Sequence, residues 1–301
     1  MAASASSTTW SRTSTSSSTS EPTAARLVVL ARLIHPFPSL LDGVVVAAVA
    51  VLAGGGLGTA VRLGASMTFL QFAIGALNDV VDAPSDAGRR PPKPIPSGIV
   101  SADAARVVMA VFAGLGLVLA GASGTGVLVV AGVVLGIGAA YDLLAKGTPW
   151  SWLPFGVGIP LLPVFGWLGA TGTLTPAFAI LIPMAVLAGA GLSVANARAD
   201  LDADLGSGTR SVATALGEER SWWVGAMLMA AATAIGVVFV GRTGWTVSTA
   251  ALVVIGTTVV ALGIALGRGR LAGSRRRGWE AQALGAAIAA TGWVSGMVPG
   301  P

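Results

Sequence analysis

Long apolar stretches separated by short polar ones run through almost the whole chain. About 20 apolar residues cross the hydrocarbon core of a bilayer. Nine stretches near that length follow one another, at roughly 37–57, 62–83, 101–121, 124–145, 151–170, 174–204, 220–241, 245–267 and 279–298. The connections between them are short and rich in Gly, Pro and Arg. The pattern predicts an all-α fold, a polytopic membrane bundle of nine transmembrane helices spanning residues 25–301. The sixth stretch is longer than a bilayer requires, so its second half is expected to continue as helix beyond the hydrocarbon, carrying Asp200 to Asp204. Residues 1–24 break the pattern. They are rich in Ser, Thr and Ala, with Arg12 as the one charge before Glu21. Without an apolar centre they do not form a secretory signal. A disordered cytoplasmic tail is the expectation, and an organellar transit peptide the alternative.

Composition sharpens this picture. Hydrophobic residues make up 54% of the chain and charged residues 10%, with a mean hydropathy of +0.80. A water-soluble core of this length would carry more charge. The 42 glycines point to helices whose backbones approach closely. The absence of Cys excludes disulfides and thiolate metal sites. A net charge of +5 would suit nucleic acid, but the basic residues sit at the ends of the apolar stretches, where topology accounts for them. Sorted by side, all 18 Lys and Arg except Arg62 and Arg242 fall on one face of the bundle. That face is expected to be cytoplasmic, with the N-terminus inside the cell and the protein in the plasma membrane.

The chain has only 13 acidic residues, and two short stretches gather six of them: Asp79, Asp82 and Asp86, then Asp200, Asp202 and Asp204. Both stretches lie at ends of apolar segments on the cytoplasmic side. Asn78, Asp82 and Asp86 recur every four residues, as do Asn196, Asp200 and Asp204, so each set lies along one helix face. Asp202 points about 200° away from Asp200 on a continuous helix. Pro84 disfavours helix at Ala83, which places Asp86 on the following loop. Carboxylates beside a membrane need a partner or a purpose. Mg²⁺ takes few protein carboxylates, keeps waters and completes its shell with phosphate oxygens, so two facing Asp/Asn rims suit Mg²⁺ and a polyphosphate. Solvated helix ends or a stabilising Ca²⁺ site would use the same residues. Cations adjoin the acids: Arg89, Arg90 and Lys93 after the first set, Arg210 after the second, and Lys146 just after Tyr141, the only Tyr. Arg and Lys there can stabilise charge on a leaving diphosphate. His35, the only His, reads as a helix-start residue. Trp150, Trp152, Phe155 and Trp167 read as interfacial anchors or packing residues whose faces could also meet a carbocation.

The run Asn78-Asp79-Val80-Val81-Asp82-Ala83-Pro84-Ser85-Asp86 followed by Lys93-Pro94-Ile95-Pro96-Ser97-Gly98 resembles the first signature of the UbiA superfamily of intramembrane prenyltransferases. Asp200-Leu201-Asp202-Ala203-Asp204, with Gly206, Gly208 and Arg210 after it, resembles the second. Tyr141 and Lys146 resemble the Tyr/Lys element of the middle cytoplasmic loop. The resemblance implies Mg²⁺ held by Asn78, Asp79, Asp82, Asp86, Asn196, Asp200 and Asp204, and an isoprenyl diphosphate contacted by Arg90, Lys93, Tyr141, Lys146 and Arg210. It implies catalysis centred on Asp82, Asp200, Lys146 and Tyr141, and an Arg32 able to hold an acceptor carboxylate. The expected function is isoprenyl transfer to a small, aromatic acceptor within the lipid bilayer, without nucleic acid. A terpene cyclase of the same superfamily is the alternative. Pro84, and Arg-Pro-Pro-Lys-Pro in place of Lys-Pro-x-Arg-Pro, depart from the signature. An ion-coupled transporter would place its charges near the bilayer midplane and show inverted repeats, and the sequence shows neither.

Overall fold

The protein is described here by a computed structural model covering residues 32–87 and 93–297. The expected tail at 1–24 and the proposed diphosphate contact Arg90 lie outside the described residues. Among the described residues all regular structure is helical. Seven helical segments are long and apolar enough to cross a membrane. They are α2 (Leu57–Asp82), α3 (Ala102–Gly121), α4 (Thr125–Ala140) with the π-helical turn Tyr141–Ala145, the pair α5 (Leu153–Gly158) and α6 (Leu161–Thr171), α7 (Phe178–Ala199), α10 (Glu218–Thr243) and α11 (Val247–Gly267). Two of the nine expected spans differ. α1 (Pro36–Leu52) is apolar but only 17 residues long. α12 (Ala272–Ser295) opens with Arg275, Arg276, Arg277 and Glu280 before its apolar half begins. Two short helices, α8 (Leu201–Ser207) and α9 (Val212–Leu216), complete the chain.

The two helices that end in Asp-rich stretches form the centre of the bundle. In α7, 61% of the apolar window is buried, and in α2 50%, against 17% in α3. The outer helices turn large apolar side chains outward, among them Val118, Val129, Met227, Val238 and Leu262. This greasy exterior is what a lipid-facing surface requires.

Glycine makes the close contacts. On α11, Gly256 and Gly263 stand seven residues apart, and on α12 so do Gly278, Gly285 and Gly292. A methyl group on Gly256 would lie 2.4 Å from the Ala289 nitrogen, and one on Gly263 2.7 Å from the Gly278 carbonyl. The two backbones of this antiparallel hairpin therefore touch with no room for a side chain. Gly43 and Gly64 form the same kind of contact between α1 and α2, where an added methyl on Gly64 would lie 2.8 Å from the Gly43 carbonyl.

Replacing Gly263 with Leu should prise this hairpin apart and destabilise the bundle by about 1–3 kcal/mol. Gly132→Ala on α4, where an added methyl meets nothing within 4 Å, should be neutral or stabilising by up to about 1 kcal/mol. Thermal unfolding of both variants in detergent, read side by side, checks the contrast.

Candidate functional site

Three helix ends meet at one end of the bundle: those of α2, of α4 with its π-turn, and of α7. The Tyr141 hydroxyl lies in the electrostatic field of Asp82 from α2, of Asp142 beside it, and of Asp200 and Asp204 beyond α7. Both Asp stretches thus face one region. A π-turn often marks a functional segment. Here it closes with the Lys146 N–H donating to the Tyr141 carbonyl at 2.8 Å, five residues back.

The first stretch is neutralised pairwise. Asp79 is almost fully buried, at 1% exposure, and its Oδ1 accepts from Lys93 Nζ at 2.6 Å and meets His35 Nε2 at 3.1 Å. Lys93 Nζ also lies 3.7 Å from Asp86. Lys146 pairs with Asp82, and Asn78 donates to Asp142 Oδ1 at 2.6 Å. Two buried acceptors, Asp79 Oδ2 and Asp142 Oδ2, have no hydrogen-bond partner among the described residues. Such atoms are costly to leave unpaired, and a cation is the partner that two hard carboxylate oxygens suit. Among the described residues no three His, Asp or Glu side chains converge into a ready-made metal site. Mg²⁺ needs none, since one or two carboxylates with water and phosphate oxygens suffice.

Local backbone differs from the sequence expectation at both stretches. Ala83 keeps helical dihedrals (φ −47, ψ −41) despite Pro84. Ser85 and Asp86 both donate their N–H to the Asp82 carbonyl at 2.9 Å. Asp86 therefore sits on the turn just past α2, buried toward Lys93. In the second stretch the helix does not run on. It stops at Ala199, passes through Asp200 (φ −99, ψ 4) and restarts as α8. The Asn196–Asp200 register is lost, because the Asp200 N–H turns to the Arg198 carbonyl. Asp200 and Asp204 keep theirs, with the Asp204 N–H on the Asp200 carbonyl at 2.9 Å.

Buried cations flank the break. Arg198 lies inside the bundle, donating to the Glu218 carbonyl, to Ser221 Oγ at 2.9 Å and to the Gly267 carbonyl at 3.2 Å. Arg275 is 2% exposed and donates to Asp202 Oδ2 and to the Arg270 carbonyl. The break removes the continuous helix on which Asp202 was expected to point away from Asp200, and Asp202 is not idle. It ties α8 to α12. Of the other sequence candidates, Asn196 is half-buried, Arg210 is exposed, and Arg32 is half-buried one turn before His35.

His35 starts α1 as its N-cap, as expected, but its pairing with Asp79 was not foreseen, and three further residues, Asp142, Arg275 and Asp42, escaped the sequence reading. His35 is the one non-glycine residue with positive φ among the described residues (φ 46), a strained state. It is accommodated by Gly75, where an added methyl would lie 3.2 Å from the His35 ring. Asp142 was hidden beside Tyr141. Arg275 sat in a basic run that topology seemed to explain. Asp42 lies within the apolar pattern of α1. It lines a cavity of about 140 Å³ whose walls include Phe37, Phe155, Leu192, Trp279 and Trp293. The Phe155 ring packs edge-on against Tyr141 at 5.6 Å, so one residue of the cavity wall adjoins the polar site. A dry apolar cavity of about 150 Å³ admits one benzene ring.

Comparisons with known proteins follow the same line. Residues 40–295 match the family model described as the UbiA prenyltransferase family. Among solved structures, the apo form of a UbiA homolog from Aeropyrum pernix K1 superposes with a TM-score of 0.70 at 21% identity, covering 84% of this chain and 96% of that one. A UbiA homolog from Archaeoglobus fulgidus bound to GPP and Mg²⁺ gives 0.65 at 18% identity, covering 90% and 100%. A structure concerning digeranylgeranylglyceryl phosphate synthase gives 0.66 at 17% identity, covering 90% and 98%. No curated protein matches the chain.

If Asp202 is a strut, Asp202→Ala should lower the unfolding free energy by about 1–3 kcal/mol by leaving the Arg275 guanidinium short of a partner inside the bundle. Asp202→Asn should retain part of it. Chemical unfolding in micelles measures both, and an unchanged midpoint for the Ala variant would mean that Arg275 is satisfied without Asp202.

Proposed function

Because this chain belongs to the UbiA prenyltransferase family, we propose that it transfers an isoprenyl group from an isoprenyl diphosphate to an aromatic acceptor within the membrane, with Mg²⁺. One observation carries the reading: Asp79 and Asp82 are each paired with a lysine, and Lys146 lies 5.9 Å from the Tyr141 ring, which packs on Phe155 in the wall of the apolar cavity. The paired lysines are cations already aimed at the place where an anionic leaving group would sit.

Asn78, Asp79, Asp82 and Asp86 on one rim, with Asn196, Asp200 and Asp204 on the other, would hold the metal. When bound, Mg²⁺ offsets the diphosphate charge and stabilises the leaving group. Lys93 and Lys146 exchange their carboxylates for diphosphate oxygens and donate to them as the C–O bond breaks. Arg90 and Arg210 would add positive charge to the diphosphate site. The Tyr141 and Phe155 rings, packed edge-on at 5.6 Å, present aromatic surface to the allylic cation. The acceptor attacks that carbon, loses a proton, and diphosphate departs. A cavity the size of one ring supports transfer to a small aromatic acceptor over cyclisation of a coiled isoprenyl chain. Arg32, one turn before His35, would hold an acceptor carboxylate.

In the same reading α1 and α12 complete nine spans, since each packs backbone-to-backbone on a spanning neighbour. The acidic end then faces the cytoplasm of a plasma-membrane enzyme.

Purified protein given geranyl, farnesyl or geranylgeranyl diphosphate with Mg²⁺ should release diphosphate, and EDTA should stop it. Asp82→Ala and Asp200→Ala should each lower the rate at least about 100-fold with little change in melting temperature. Retained turnover in both variants would remove the proposed metal clamp. Arg32→Ala should raise KM for a carboxylated acceptor with kcat nearly unchanged, and an unaltered KM would exclude Arg32 from acceptor binding.

A further inference from the structure

Asp42 is a carboxylate without a task in the scheme above. It lies in the second turn of α1, half-buried, and lines the apolar cavity. Its neighbours on the cavity wall are apolar or aromatic: Phe37, Leu41, Val45, Trp279 and Trp293 among them. Among the described residues it makes no hydrogen bond and no ion pair. The other acids of this region are matched: Asp79 with Lys93 and His35, Asp82 with Lys146, and Asp142 with Asn78. A lone carboxyl in an apolar cavity is destabilising unless something donates to it. Core packing alone would favour Leu or Ala at this position.

The cavity is also where an acceptor would sit. Phe155 joins its wall to Tyr141. Phe37 and Trp279 meet edge to face at 6.0 Å on the side of Asp42, a surface suited to a flat ring. Alkylating a hydroxyl-bearing acceptor releases a proton, and water is scarce among these walls. A carboxylate there can both orient the hydroxyl and receive that proton.

We propose that Asp42 is the acceptor-recognising residue of this enzyme, and that the acceptor presents a hydroxyl group to it. This rests on the prenyl-transfer reading above. In the step, the bond from the isoprenyl carbon to diphosphate oxygen breaks and diphosphate leaves. The acceptor forms its new bond to that carbon, on the hydroxyl oxygen or on the ring it activates, and its proton passes to the Asp42 carboxylate. No oxidant or reductant is needed. A carboxylate on the acceptor would be repelled from this wall, so an acid acceptor must enter with its hydroxyl inward and its carboxylate toward Arg32.

The test separates the two halves of the reaction. Full-length wild-type, Asp42→Asn and Asp42→Leu proteins are given geranyl, farnesyl and geranylgeranyl diphosphate with Mg²⁺ and no acceptor, so that water takes the prenyl carbon, and release of diphosphate with the prenyl alcohol is measured. In parallel, lipid extracts of cells lacking the protein, and of the same cells carrying each variant, are compared by mass spectrometry for the missing prenylated compound. The expected result is wild-type diphosphate release from all three proteins, with the prenylated product reduced about 100-fold in both variants. Its unprenylated parent should carry a hydroxyl. Product at wild-type level in Asp42→Leu overturns the proposal. So does a parent lacking a hydroxyl, a missing compound that is a cyclised hydrocarbon, or diphosphate release that falls in step with product. If wild-type protein releases no diphosphate from any of the three even when the acceptor-containing lipid extract of the cells lacking the protein is added, the prenyl-transfer reading itself fails, whatever Asp42 does.

Discussion

A carboxylate at the end of an apolar helix must be matched by a cation, and the site is organised around that requirement. Asp79 is buried almost completely and would be intolerable alone. Lys93 and His35 hold one of its oxygens, and Lys146 holds Asp82. These pairs bring the segment after α2, the start of α1 and the turn after α4 to one point. They also hold two cations in readiness at that point. A polyanion with its own metal ion would release the lysines from the carboxylates and give the carboxylates a new partner. Stability of the empty site and affinity for a substrate thus draw on the same charges.

The scaffold beneath is apolar and held by proximity. In lipid, helices gain little from hiding apolar surface from one another, so close backbone contact has to supply cohesion. The glycine-lined faces of α11 and α12 and the Gly43–Gly64 contact supply it. Among the polar contacts between helices, Arg198 and Arg275, both buried, fasten the end of α7 and α8 to α10, α11 and α12. They decide where Asp200 and Asp204 stand relative to the first Asp stretch.

The helices were legible in the sequence because hydrocarbon thickness sets a length that composition alone reveals, and most boundaries of the apolar stretches fall within a few residues of the helix ends. Two spans were less so. α1 is short, and the first turns of α12 are charged because Arg275 is answered by Asp202 and Glu218, far away in sequence. The paired Asp stretches were legible by spacing and sidedness. The break at Asp200 was not, since Arg198 looked like one more topological cation, and only its contacts to Glu218, Ser221 and Gly267 give it a structural role. His35 looked solitary because its partner is 44 residues away. Asp42 left a trace that went unread: a single acid within an apolar span is itself a sign of function.

The central claim is that both Asp stretches act on one diphosphate through shared divalent metal. Mn²⁺ put in place of Mg²⁺ tests it directly by electron paramagnetic resonance on purified protein with geranyl diphosphate. The account predicts bound Mn²⁺ that depends on the diphosphate and is lost in Asp82→Asn and in Asp200→Asn alike. Wild-type Mn²⁺ binding in either variant would contradict it.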